Sequence, residues 1–215
     1  MAVRAERIAS IVKSLAINRH LFEAFGSQVE TAISRGLPQD GHIHSIKKRI
    51  KSDESLAEKI LKKRRSGKIV TSANVLKEIT DICGVRLIHI FPQDINVINT
   101  HINKCIEDMG WHLREKPKAY SWDPESVEYL KSLNLKCYLK PSYYTSVHYI
   151  VSPRKASLFT CEIQVRSLLE ELWAEVDHRV KYKSNKLEMR ETEHLAVLAR
   201  LVSAGSKIVS SLYRQ

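Results

Sequence analysis

The chain has 215 residues, 43% of them hydrophobic, which is enough for one sizeable core with a helical appendage. Lys and Arg number 35 against 24 acidic residues, and the formal charge of +11 favours a polyanionic partner such as nucleotide phosphates, RNA or an acidic surface. The four cysteines, Cys83, Cys105, Cys137 and Cys161, form no CxxC pair and sit mostly in apolar runs, which argues against a disulfide framework and for a reducing cytoplasm. The N-terminal apolar stripe is broken by charges and no stretch reads as long enough to span a bilayer, so a soluble intracellular protein without membrane contact is expected.

Apolar residues Ile8, Ile11, Val12 and Leu15, then Leu21, Phe22, Phe25, Val29 and Ile33, recur at three- and four-residue spacing, predicting two helices before the break at RGLPQDG. In HIHSIKKRIK the isoleucines keep helical spacing, but the run is short and uncapped, and an extended segment is expected. Ser52 ahead of Asp53 and Glu54 supplies a hydroxyl cap and early acids, so DESLAEKILKKRR reads as a basic helix whose cationic end faces phosphate or solvent. SANVLKEIT follows as a short helix, CGVRLIHIF as a strand, and PQDINVINTHINKCIEDMG as a helix entered through Pro92. Residues 111–139, rich in Lys, Tyr and Trp, read as irregular.

YYTSVHYIVS and LFTCEIQVRS are β-branched runs separated by PRKA and predict an antiparallel pair. Leu168, Leu169, Leu172, Trp173, Val176 and Val180 mark one helix, and Leu195 to Leu212 another. These elements predict an α+β fold, a mixed β-sheet flanked by helices with helical N- and C-terminal extensions.

The chemistry concentrates on the last predicted strand. Side chains alternate there, so Cys161, Ile163 and Val165 enter the core while Glu162, Gln164 and Arg166 share the opposite face. A solvated outer sheet face would have the same pattern. Asp81 heads a second strand-like run, with Arg86 five residues later, and its apolar surroundings demand a cation unless it merely caps a turn. Two carboxylates from different strands suit Mg²⁺, which prefers oxygen ligands and leaves positions for water and substrate phosphates. Tyr144, Ser146 and His148 alternate on one face and point to a shared pocket.

DICGVRLI, YYTSVHYIV and CEIQVRSLLEELWAEVDHRVKYK, with the basic RIKSDESLAEKILKK upstream, together resemble the synthetase domain of RelA/SpoT-type alarmone synthetases over roughly residues 40 to 185. The resemblance implies a nucleotidyltransferase-like fold and Mg²⁺-dependent transfer of pyrophosphate from ATP to the 3′-hydroxyl of GDP or GTP. It divides the chain into an N-terminal helical extension (1–39), a synthetase domain (40–185) and a C-terminal helix (186–215). It implies that Asp81 and Glu162 bind the metal and that Gln164 orients the acceptor, all three as catalytic residues. Arg49 and Arg86 would sandwich adenine, as planar guanidinium groups can. Lys51, Lys59 and Lys62 would grip the ATP phosphates, although a solvated basic face is the plainer account of Lys59 and Lys62. Tyr144 would stack on guanine, with Lys140, Ser146, His148 and Arg166 around the acceptor, His148 donating to a substrate oxygen. Asp177 and His178 lack the order of the metal-binding HD signature of the family's hydrolase domain, so synthesis without hydrolysis is expected.

The chain departs from the family's usual central loop. Tyr143 stands where glycine is common and Thr145 where a positive charge is common, so the acceptor pocket is expected to be reshaped. Glu171 takes a place where some small synthetases put an Asn or Asp that touches guanine, and a carboxylate there could accept from N1 and N2. KAYSWDPESVEYLKSLNLK resembles an insertion. These departures keep two alternatives open: a relative that modifies the 3′ end of tRNA, and a catalytically idle RNA- or ribosome-binding module. Retention of Asp81, Arg86, Glu162 and Gln164 speaks against idleness. The resemblance also raises assembly into a homo-oligomer through the terminal helices.

Overall fold

Apolar alternation builds the centre of the molecule. The computed structural model describes residues 7–37, 43–183 and 188–213; the domain boundaries expected at 39/40 and 185/186 lie outside the described residues. The chain runs α1 (Ile8–Ala16), α2 (Arg19–Gly36), β1 (Ile43–Ile50), α3 (Asp53–Arg65), α4 (Val75–Glu78), β2 (Cys83–His89), α5 (Asp94–Asp108), β3 (His112–Leu113), β4 (Lys118–Ser121), α6 (Pro124–Ser132), β5 (Lys136–Leu139), β6 (Ser146–Ser152), β7 (Cys161–Ser167), α7 (Leu168–Lys183) and α8 (Met189–Tyr213). Among the described residues the strands form one seven-stranded mixed sheet in the order β1-β2-β7-β6-β4-β5, with β3 pairing alongside β6. β2 and β7 are parallel neighbours, as are β4 and β5; the other pairings are antiparallel.

On one face Cys83, Val85, Leu87, Ile163, Val165, Val147 and Tyr149 are buried against Phe22, Phe25, Val29 and Ile33 of α2 and Ile98 and Ile102 of α5. Helix α2 thus supplies the main core rather than standing apart from it. Its Gly26 permits close approach, because a Cβ there would be built into the Cys83 thiol. The opposite face carries Arg86, Gln164, His148 and Lys118 in register across four strands, since Arg86 lies opposite Gln164, Gln164 opposite His148, and His148 opposite Lys118. One face is therefore core and the other chemistry.

The cap expected at Ser52 forms: its hydroxyl accepts from the Ser55 backbone N–H at 3.2 Å. Two expectations fail. Residues 111–139 are not irregular but fold into β3, β4, α6 and β5, extending the sheet by a parallel edge pair. The strands escape notice because each is only two to four residues long, and β4 and β5 carry a lysine and a tyrosine each on their polar face. Helix α6 had a legible start, with Asp123 accepting from the Glu125 N–H at 3.1 Å and Pro124 in the first turn. The expectation that no stretch approaches bilayer-spanning length also fails, since the 25-residue α8 is long and apolar enough by composition. It packs along α7, burying Leu195 and Ala199, and the Trp173 indole N–H donates to the Leu195 carbonyl at 2.9 Å.

Candidate active site

The approach to β2 delivers Asp81. Thr160, just before β7, donates its hydroxyl to the Thr80 carbonyl at 2.8 Å, and the Lys51 backbone N–H donates to the Ile82 carbonyl at 2.8 Å. These two bonds lock the chain on either side of Asp81 between the end of β1 and the start of β7. Asp81 Oδ2 pairs with Lys59 from α3 and lies 3.3 Å from Lys51 Nζ. Its Oδ1 is buried and has no hydrogen-bond partner among the described residues. Burial pushes the Asp81 carboxyl up, but the two ammonium groups outweigh it and hold it below its ordinary value, so the group is an anion. Burial, together with the Lys59 and Arg49 charges, depresses Lys51 against the pull of Asp81.

Glu162 lies next to Gly84 in the parallel register of β2 and β7, where a Cβ on residue 84 would come within 3.3 Å of the Glu162 carbonyl oxygen. Its carboxylate is 9% exposed, within 3.1 Å of His148 Nδ1, and accepts from the Gln164 amide. Burial raises its pKa, the His148 and Gln164 contacts lower it, the Asp81 charge raises it, and the balance lies below the ordinary carboxylate value. The Asp81 and Glu162 anions therefore feel each other across a cleft that both line, with Arg49, Lys51, Arg86 and Gln164 forming its remaining polar wall.

Oxygen donors with an orphaned buried lone pair suit a hard cation. Among the described residues no cluster of three or more Asp, Glu, His or Cys gathers, so a fully protein-made metal cage is absent there. Two carboxylates beside a cationic rim are nonetheless what Mg²⁺ requires when substrate phosphates and water complete its shell. The donor set fits that ion.

Beyond Glu162 the polar face becomes a connected network. Arg166 is 4% exposed; its Nη2 donates to the Tyr144 hydroxyl at 2.9 Å and to Gln164 Oε1 at 3.2 Å, and its Nη1 reaches Glu171 Oε2 at 3.1 Å. The Tyr144 hydroxyl lies 2.9 Å from His148 Nε2. Burial raises the Tyr144 phenol above its ordinary value, so it stays protonated. The Tyr120 ring from β4 packs edge-on against His148 at 5.0 Å, and Lys140 Nζ sits 4.7 Å over the Tyr120 ring.

The structure thus brings Arg49, Lys51, Lys59, Asp81, Arg86, Glu162 and Gln164 to one cleft region and Tyr144, His148 and Arg166 to its side. The polar strand face is buried, not the solvated sheet surface its pattern also allowed. Other positions differ from expectation. Lys62 is exposed near the end of α3, outside the lining of the cleft. Ser146 is buried and donates to the Val165 carbonyl at 3.3 Å, with its side chain also beside the Tyr144 phenol. Both ring nitrogens of His148 meet protein groups, in place of the substrate oxygen expected for it. Glu171 is held by two arginines, pairing with Arg86 through Oε1 and with Arg166 through Oε2.

Sequence reasoning missed Glu175, whose Oε1 lies 3.1 Å from Arg86 Nη1. Its signal was present: Glu171 and Glu175 are one helical turn apart and share a face of α7. It also missed Tyr120, which lay in the segment read as irregular. Tyr143 adopts φ +63° and packs edge-on against Trp122 at 5.2 Å, so the loop keeps the left-handed turn that glycine would favour.

Comparison with known proteins gives a consistent match. Residues 48–187 match the model of the region found in RelA / SpoT proteins. GTP pyrophosphokinase YwaC of Bacillus subtilis (strain 168) is 32% identical over 153 residues, covering 67% of this chain and 62% of that relative's length. The fold superposes on the small alarmone synthetase 1 of Bacillus subtilis bound to its product pppGpp, with a TM-score of 0.65 at 18% identity over 91% of this chain and 92% of the other. Small alarmone synthetase 2 of the same organism gives 0.62 at 23% identity over 94% and 97%.

Proposed function

The chain belongs to the RelA/SpoT family, and from that membership we propose that it is a synthetase transferring pyrophosphate from ATP to the 3′-hydroxyl of GDP or GTP, releasing AMP and making (p)ppGpp-type alarmones in the cytoplasm. The observation that carries this reading is that Asp81, just ahead of β2, and Glu162, on the parallel neighbour β7, line one cleft whose rim is Arg49, Lys51 and Arg86.

Arg86 and Arg49 present guanidinium planes for the adenine of ATP. Lys51 and Lys59 offset phosphate charge, Lys59 exchanging Asp81 for a phosphate oxygen as ATP enters. Tyr144 offers its ring to the acceptor guanine, and Gln164 and Arg166 brace it. Mg²⁺, held by Asp81 and Glu162, would neutralise charge on the ATP phosphates. The acceptor 3′-oxygen attacks the β-phosphorus in line and the α-phosphate oxygen leaves with AMP, so positioning and electrostatics supply most of the acceleration. Glu162 polarises the attacking hydroxyl, and no general base is assigned. The exposed Val197, Leu201, Ile208 and Leu212 of α8 are read as the surface for self-assembly, which light scattering checks.

The test is incubation with γ-labelled ATP and Mg²⁺, offering GDP, GTP and bulk tRNA separately. Label in a guanosine nucleotide with stoichiometric AMP supports the reading. Label in RNA alone replaces the acceptor, and no label in any product rejects the activity.

A further inference from the structure

Five side chains around the polar sheet face close into a ring, and the bonds at Arg166, Gln164 and Glu162 have a fixed direction. Arg166 has only donors. Its Nη2 donates to the Tyr144 oxygen at 2.9 Å and to Gln164 Oε1 at 3.2 Å. The Tyr144 hydroxyl also lies 2.9 Å from His148 Nε2. On the other side of the imidazole Nδ1 faces Glu162 Oε1 at 3.1 Å, and because an ionised carboxylate can only accept, Nδ1 is the donor. The other branch runs from Arg166 through Gln164, whose amide donates to Glu162 Oε2. Two branches of contacts thus leave one arginine and end on the two oxygens of one carboxylate.

We propose that His148 is a positioning residue with two separable tasks: its Nδ1 orients Glu162 for turnover, and its Nε2 anchors the Tyr144 ring as the acceptor platform. The inference rests on the pyrophosphotransferase reading for the meaning of these tasks, but the ring itself belongs to the free protein. The Tyr120 edge contact at 5.0 Å fixes the imidazole plane so that both nitrogens stay in line with their partners. A histidine that merely filled space would have no reason to hold a hydrogen on Nδ1 toward Glu162 or to split its effects between two kinetic constants.

The first test uses the ligand-free protein, labelled with ¹⁵N-histidine and assigned by loss of the signal in His148→Asn. Long-range ¹H–¹⁵N spectra should show a hydrogen on His148 Nδ1, and a bare Nδ1 would overturn the proposal. The second compares two variants, because an Asn amide reaches the Nδ1 position and a Gln amide the Nε2 position. One lost hydrogen bond corresponds to about tenfold, so His148→Asn should raise the acceptor KM about tenfold with the smaller loss in kcat, and His148→Gln should do the reverse. Equal changes in both constants for both variants contradict it. If the wild type transfers no pyrophosphate, the functional reading fails while the Nδ1 hydrogen still reports on the ring.

Discussion

Lys59 of α3 pairs with Asp81, the same carboxylate whose Oδ2 lies 3.3 Å from Lys51, so one anion at the head of β2 gathers two cations from separate elements. The remaining oxygen of that anion is buried and unbonded among the described residues. The cluster ties α3 and the end of β1 to the head of β2, and in the proposed mechanism the unbonded oxygen is the one offered to the metal.

Asp81→Asn should therefore do two things. Without metal it leaves Lys51 and Lys59 facing each other without their counter-ion, at a cost of about 1–3 kcal/mol because the pairs are partly solvated. With Mg²⁺ and nucleotides it should lower kcat about 100-fold or more, as Glu162→Gln should too. Denaturant melts and the labelled-ATP assay check these. A variant as stable and as active as wild type would remove Asp81 from both roles.

The acid limb of stability follows from the same groups. Asp81 and Glu162 both lie below their ordinary values in the folded state. Their contribution is complete above the unfolded value of about 4 and is lost as pH falls through the lower folded values. Melting temperature should thus fall more steeply below about pH 4 for wild type than for the Asp81→Asn, Glu162→Gln double variant. Parallel curves would show that neither carboxylate is specially stabilised.

Tyr143 places a side chain at φ +63°, a backbone cost of about 1 kcal/mol or more that glycine avoids, while its ring contact with Trp122 returns about 0.5–1.5 kcal/mol. Tyr143→Gly should be near neutral because these offset. Tyr143→Ala keeps the strain and loses the ring, so it should be about 1 kcal/mol less stable than the glycine variant in urea melts. Equal stability of the two would mean the loop relaxes around any residue.

At Gly26 the predicted cost is steric. An added methyl meets the Cys83 thiol, with the Lys48 Cδ 3.1 Å away, so Gly26→Ala should destabilise by about 1–3 kcal/mol. Cys83→Ala should remove more than half of that cost in the double variant. Additive effects would place the strain elsewhere.

Much of this was legible in the residues. The alternation through CEIQVRS separated core from polar side chains, because the period of two is unforgiving in a central strand. It could not reveal that the polar side is partly covered, since that cover comes from α7, whose Glu171 and Glu175 arrive from another element. The strands β4 and β5 were illegible because their polar residues look like loop when the sheet that receives them is unknown. Ser146 shared the alternation of His148 yet spends its hydroxyl on the Val165 carbonyl, which only pairing with β7 decides. The left-handed turn at Tyr143 was hidden because a tyrosine gives no sign of positive φ.

The central claim concerns a divalent ion shared by Asp81 and Glu162. Titration of Mn²⁺, followed by electron paramagnetic resonance with a non-hydrolysable ATP analogue present, measures it directly. One saturable site in the wild type, weakened at least about tenfold in both Asp81→Asn and Glu162→Gln, is the predicted result. Unchanged Mn²⁺ affinity in either variant would contradict it.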